Sequence, residues 1–238
     1  TPSRRWPVIS ALGVIQILTW GSSFYLPAVL AGPVAESTGW PLAWVVGGLS
    51  LGLLVAAFAS PHIGTAIHRH GGRPILALAA LLLAAGLTML ALAPILPVYL
   101  AGWMLLGLGM GCGLYDPAFA TLGQLYGAEA RPAITTLTLW GGFASTVCWP
   151  LSAFLVAHFG WRGACLAYAG LHLAVEVAPH VAALGRVEVE GRAGPALAGE
   201  DRPEQERPPA QLDIRRLGQR LLLTCQVTLE SLDALLLT

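Results

Sequence analysis

The charges in this chain are placed so unevenly that they decide what it can fold into. Residues 1–175 carry only nine: Arg4, Arg5, Glu36, Arg69, Arg73, Asp116, Glu129, Arg131 and Arg162. The remaining seventeen of its 13 basic and 13 acidic residues lie in 176–238. Six largely apolar stretches run between the early charges, at approximately 8–31, 42–60, 74–93, 96–119, 133–157 and 162–183. Each is close to the roughly 20 residues a helix needs to cross a bilayer core of about 30 Å. They are separated by Gly32-Pro33 and Gly39-Trp40-Pro41, Ser60 to Pro74, Ala93-Pro94, Glu129 to Pro132, and Phe159 to Arg162. Apolar side chains go all the way round each stretch, which suits lipid on one side and other helices on the other. An open sheet is excluded because hydrocarbon leaves its edge unsatisfied, and the alternation a barrel needs is missing. Only 11% of residues are charged, against about 25% in soluble globular domains. That deficit, with a net charge of +0, excludes an ordinary soluble enzyme, a nucleic-acid-binding domain and a disordered chain. The sequence therefore reads as an all-α polytopic membrane protein. A six-transmembrane-helix bundle is expected over residues 1–184, and a polar tail over 185–238.

Arginine alone sets the orientation, because the chain has no lysine. Arg4, Arg5, Arg69, Arg73 and Arg131 fall at the N-terminus and in the second–third and fourth–fifth connections, whereas the opposite connections carry only Arg162. Positive segments stay inside, so both termini are expected in the cytoplasm of a multi-pass protein of the cell (inner) membrane. Trp40, Trp44, Tyr99, Trp103 and Trp161 then fall near the outer interface, where amphipathic rings prefer to lie. The first stretch follows two arginines as a signal peptide would, but it is too long and continues into five more, so no cleavage is expected. Thr1 in place of methionine leads us to expect further residues before it.

Cys112, Cys148 and Cys165 lie in separate stretches and offer no disulfide framework, so they read as small apolar residues. At 1.5 Å per residue they lie about 23, 15 and 5 Å below the outer ends of their spans. That spread far exceeds a metal–sulfur bond of about 2.3 Å, so no three-cysteine metal site is expected. His68-Arg69-His70 lacks the further ligands a metal would need. No H-E-x-x-H occurs and the apolar stretches hold no paired carboxylates, so neither an enzyme nor a cofactor is expected. Gly107, Gly109, Gly111 and Gly113 lack nucleotide-loop spacing and read instead as two small-xxx-small pairs on a close-packing helix.

The most specific segment is Gly64-Thr65-Ala66-Ile67-His68-Arg69-His70-Gly71-Gly72-Arg73-Pro74. It resembles the cytoplasmic loop signature of the major facilitator superfamily, G-x-L-a-D-r-x-G-r-k. Gly64, Arg69, Gly71 and Arg73 match; His68 replaces the aspartate, Ala66 the leucine and Gly72 the first late arginine. Phe159-Gly160-Trp161-Arg162-Gly163 is similar to the turn before the sixth span in that superfamily, and the likeness covers about residues 8–183. It implies a transporter that alternates between inward-open and outward-open states, with twelve spans in two halves and a small-molecule or ion substrate bound between them. This chain would supply the first half of the fold. Its partners would be the lipid bilayer and the missing C-terminal half or a second copy, with no nucleic acid. Trp103 stands where many proton-coupled members have arginine, and Trp149 precedes Pro150 where antiporters have glycine, so antiport is not inferred. A non-transporting membrane fragment that assembles with another protein is the alternative from a different class.

Within that resemblance, Gln16, Thr19, Trp20 and Ser23 share one helical face. Polar groups at membrane depth face a bundle or a water-filled cavity, so these residues either line the substrate cavity or bond helices together. Trp140 and Trp149 join them as cavity candidates. Gly64, His68, Arg69, Gly71 and Arg73 form the expected gating loop. Asp116, the only acid inside the first five spans, is either a proton carrier or a latch to Arg69 or Arg73. An adjacent cation favours the ionised carboxylate, which favours the latch. His68 offers a pH-sensitive loop group or a solvated residue.

Residues 186–220 hold seven arginines, seven acids and Pro195, Pro203, Pro208 and Pro209. Such a composition buries too little apolar area to order itself and reads as a cytoplasmic linker. Residues 211–238 space Ile214, Leu217, Leu221, Cys225, Leu229, Leu232 and Leu236 near the helical period, as an amphipathic surface helix rather than a seventh span. Glu176, Pro179 and His180 interrupt the sixth stretch, as a truncation or reading-frame change after about residue 175 would.

Overall fold

The computed structural model describes residues 5–127 and 130–177. Its helices are α1 (Arg5–Ser22), α2 (Pro27–Thr38), α3 (Leu42–His70), α4 (Gly72–Leu92), α5 (Leu96–Gly113), α6 (Tyr115–Tyr126), α7 (Ala130–Gly142) and α8 (Ala144–His172), then a π turn at Leu173–Val177. The tail and the amphipathic helix expected in it lie outside the described residues, as do Arg4, Glu129 and the side chain of Arg73.

Five continuous helical segments are long and apolar enough to cross a membrane: Ile9–Thr38, Leu42–His70, Pro74–Leu92, Leu96–Gly123 and Ala130–Val175. The all-α, polytopic architecture stands. The expected fifth and sixth stretches are joined in the last segment. Its 46 residues would reach about 69 Å as one straight helix, more than twice a bilayer core. The chain instead reverses within α8 at Gly160, whose φ of 68° and ψ of 174° are non-helical. The hydroxyls of Ser152 and Tyr168, equidistant in sequence from Gly160, lie 2.7 Å apart. A straight helix would hold them about 24 Å apart. Arms 144–159 and 161–172 therefore run antiparallel.

Two expected boundaries move. Gly32-Pro33 does not end the first span; α2 continues to Gly39, whose φ is 72° and whose amide donates to the Ala35 carbonyl. Likewise α3 runs through Pro61 to His70. The connection expected over Ser60 to Pro74 contracts to Gly71, with φ 81°. A proline removes one donor, and neighbouring turns hold the helix. A left-handed residue turns the chain out of the helix altogether. The 29 residues of α3 extend about 44 Å, past the hydrocarbon. Its last turn carries His68, Arg69 and His70, and the Arg69 cation suits the negative end of the helix dipole.

α5 packs between α3 and α4, and its glycines explain how closely. A Cβ on Gly107 would collide with the Gly52 carbonyl of α3, and one on Gly111 would crowd Ile63. On the other side Gly109 faces Leu83, Gly113 faces Ala79, and Gly86 and Gly102 meet backbone to backbone. The glycine pairs thus serve two faces, one per neighbour. Trp103, expected at the outer interface, is buried at 2% exposure because Gly48 leaves room for its indole. The larger core gathers Leu26, Val34, Leu83, Leu87, Leu106 and Tyr168. A smaller one joins Ile9, Leu12, Leu76, Leu122 and Leu137 of α1, α4, α6 and α7. At the Gly160 turn, Trp161 Nε1 donates to Ser37 Oγ at 2.7 Å. Beside it, the Arg162 guanidinium donates to the Ala93 carbonyl at 3.2 Å and lies 4.2 Å from the Trp161 ring centre. The ends of α2 and α4 and the α8 turn are thereby tied together.

Candidate functional site

Three of the crossing segments are interrupted, and the interruptions meet. The first lies between α1 and α2. Pro27 has no N–H for the Ser23 carbonyl four residues back, and the Tyr25 amide reaches to Trp20 instead, at 3.1 Å. The second separates α5 from α6 at Leu114, whose ψ is −164°. Here Pro117 leaves the Gly113 carbonyl without its helical donor. Gln16 of α1 supplies one: its Nε2 donates to Gly113 O at 2.8 Å and more weakly to Leu114 O at 3.5 Å. Its Oε1 accepts from Trp20 Nε1 at 3.2 Å. The third lies at Phe143, between α7 and α8.

Tyr115 stands where these interruptions converge. Its ring centre is 5.0 Å from that of Trp20, and it stacks on Phe119 at 5.1 Å with planes 13° apart. Trp20 in turn meets Phe24 at 5.4 Å and Tyr25 at 6.1 Å. The Tyr115 hydroxyl lies over Gly141, where a Cβ would strike it, and the adjacent Trp140 lies over Gly13 of α1. Two glycines therefore seat two aromatic rings from other helices. Trp20, Tyr25, Tyr115, Phe119 and Trp140 are all partly exposed, so the cluster presents ring surface outward.

The residues singled out from the sequence divide. Gln16, Thr19 and Ser23 are fully buried. Gln16 bonds α1 to the broken end of α5, Ser23 Oγ donates to Thr19 O at 2.5 Å, and the Thr19 hydroxyl is buried with no partner among the described residues. Trp20 and Trp140 belong to the aromatic cluster. Trp149, 51% exposed, stands apart from these ring contacts. Sequence reasoning missed Tyr25 and Tyr115. A signal existed: each stands two residues before a helix-interrupting proline, in Tyr25-Leu26-Pro27 and Tyr115-Asp116-Pro117.

In the expected gating set, Gly71 makes the α3–α4 turn with φ 81°. Gly64, His68 and Arg69 are exposed, and a Cβ on Gly64 would meet nothing within 4 Å. Asp116 opens the first turn of α6. It lines a cavity of about 190 Å³ with Ala56, Ala57, Ser60 and Met110, among others. Ser60 precedes Arg69 by nine residues, about 14 Å along α3, so Asp116 faces α3 well before the arginine.

A polar seam also joins α1 to the α8 hairpin. Ser22 Oγ and His172 Nε2 are 2.7 Å apart, and the Cys148 thiol donates to Ile17 O at 3.4 Å in the notch left by Gly21.

Interrupted helices with polar and aromatic groups near mid-span are the architecture of secondary transporters. The Major Facilitator Superfamily profile matches residues 8–229, and the chain belongs to that family. It is 34% identical over 134 residues to monocarboxylate transporter 3 of Rattus norvegicus, covering 55% of this chain and 26% of that protein. Monocarboxylate transporter 11 of Mus musculus is 31% identical over 165 residues, covering 68% of this chain and 36% of its own length. The matched stretch thus amounts to about a third or less of either relative. No solved structure matches the chain. Relatives named as transporters point to transport rather than enzymatic chemistry. They are animal proteins, so the expected cell inner membrane finds no support in them. The family match continues past residue 175, through the stretch where the sequence composition changes.

Proposed function

We propose that the chain forms the first half-bundle of a secondary-active transporter that carries a small solute by alternating access. The observation that carries this reading is the meeting of three interrupted helices around Tyr115 in a superfamily member. Six crossings follow if each arm of α8 crosses, and the Gly160 reversal supports that count. Both termini then lie on the arginine-rich, cytoplasmic side, with the Gly71 turn at that side and the Trp161–Ser37 tie at the other. The bundle is half of a transport unit, completed by a second six-helix body from further chain, another chain or a second copy. Its helices support this: 17% of the apolar window of α3 is buried within the chain, and 28% of that of the last segment, against 50–56% for the others. Assembly as a non-transporting partner rests on the same exposed helices.

In this reading the ring surface of Trp20, Tyr115 and Trp140 faces the solute, with Trp149 further along the same wall. Gln16, Thr19 and Ser23 hold the wall in place. The Gly64–Arg73 segment gates from inside, with Asp116 engaging Arg69 or Arg73 in one state and facing Ser60 in the other. The relatives' names make a monocarboxylate the first solute to assay. Counterflow of a labelled monocarboxylate into liposomes holding the full-length gene product tests the reading. Signal above empty liposomes is expected, and none from any small solute would leave the assembly-partner reading. Asp116→Asn is expected to slow transport about tenfold by shifting the two-state balance, equivalent to about 1.4 kcal/mol. Wild-type rates at both about pH 5.5 and pH 8 would remove Asp116 from the gate.

A further inference from the structure

The aromatic convergence offers ring faces and neutral hydrogen-bonding groups, and among the described side chains no lysine or arginine lies beside it. The chain has no lysine, and the described arginine side chains lie at segment ends. Arg69 is in the last turn of α3, and Arg131 starts α7 nine residues before Trp140, about 14 Å along the helix. Arg162 is bound to the Ala93 carbonyl at the opposite end. His172 pairs with Ser22, two residues beyond Trp20 and therefore on the far side of α1. The acid Asp116 faces Ser60 and α3. A carboxylate placed on this wall would find no cation among the described side chains to neutralise it, and stripping its water without one is costly. A flat ring would find the partly exposed Trp20 and Tyr115, whose planes lie 49° apart, with Phe119 backing one face of Tyr115. The Tyr25 and Tyr115 hydroxyls make no hydrogen bond among the described residues and remain free for the ring's polar edge.

We propose that this half-bundle recognises the aromatic ring of its solute by stacking on Trp20 and Tyr115, and that any carboxylate on the solute is neutralised by groups other than the described side chains. This rests on the transport reading for its physiological meaning, but ring binding is measurable without transport.

The experiment compares phenylacetate, acetate and benzylamine binding to the full chain in lipid nanodiscs, with transport measured separately in liposomes. Phenylacetate is expected to bind at least tenfold more tightly than acetate, which has the same charge and no ring. Trp20→Leu should abolish that preference, and Trp20→Phe should keep most of it, which separates lost stacking from lost folding. Gly141→Ala, whose methyl displaces the Tyr115 hydroxyl, should weaken phenylacetate and leave acetate unchanged. Equal binding of the two acids, no binding of either, or an unchanged preference in Trp20→Leu would overturn the proposal. Tighter binding of benzylamine than phenylacetate would overturn it too, by assigning a cation site. Ring preference without any transport would leave this proposal standing and sink the transport reading. Transport without ring preference would do the reverse.

Discussion

The α3–α4–α5 stack and the α1–α6–α7 junction are both built on glycine, yet they use it differently. In the stack, glycine brings backbone against backbone, as at Gly107 and Gly52 or Gly86 and Gly102, and α3 and α4 run without a break. At the junction, Gly13 and Gly141 seat the rings of Trp140 and Tyr115, and the helices around them are interrupted. Lipid tails give helices no hydrophobic reason to associate, so close packing and hydrogen bonds must hold them. The stack relies on the first and the junction on both. Backbone contact has one arrangement. Rings and amide hydrogen bonds can exchange partners, so the junction is the part of the bundle suited to two states.

The contrast is broken most severely at Gly107. Gly107→Val puts two methyl groups where the Gly52 backbone already lies, and neither backbone can step aside. A loss of about 3 kcal/mol is expected, read as a collapse of the thermal transition of the purified protein. Tolerance of valine would mean that α3 and α5 slide, and the stack would lose its rigid role. Gln16→Leu probes the junction. It leaves the Gly113 and Leu114 carbonyls without their donor, at an expected cost of about 2 kcal/mol. A smaller fall in the same melting experiment should result, with altered Trp20 fluorescence because the indole N–H loses its acceptor. The finest test is Tyr168→Phe, which deletes the Ser152 hydrogen bond and keeps the ring. A cost of about 0.6 kcal/mol is expected, and a larger one would make the α8 hairpin a third, hydrogen-bonded region in its own right.

The bundle was legible because lipid permits so few alternatives: an uncharged run of the right length has to be a helix. The ends were harder to read. Prolines at 33 and 61 look like stops, yet the helices pass through them, and apart from the Ala93–Ile95 connection the described long segments turn at Gly39, Gly71, Gly127 and Gly160, the glycines with positive φ. Nothing in a lone glycine announces its φ, since that is set by the chain on both sides. Helical spacing gathers Gln16 and Thr19 because α1 carries both, with Ser23 one residue past its end. It could not gather Tyr115 with Trp20 or Trp140 with Gly13, whose proximity depends on three helices breaking at compatible levels. Trp103 went astray for a related reason: an indole expected at the headgroups is accommodated in the core by a glycine, Gly48, fifty-five positions earlier.

The clasp made by Trp161 and Arg162 on Ser37 and Ala93 has a consequence for how the protein is made. Its two acceptors are synthesised early, and both donors arrive together much later. Until the ribosome has delivered them, the first four segments must wait in the membrane with one edge unsealed. Closure therefore waits for the Gly160 turn to be made, and a chain stalled before Trp161 would expose that edge to whatever insertion factor stands beside it.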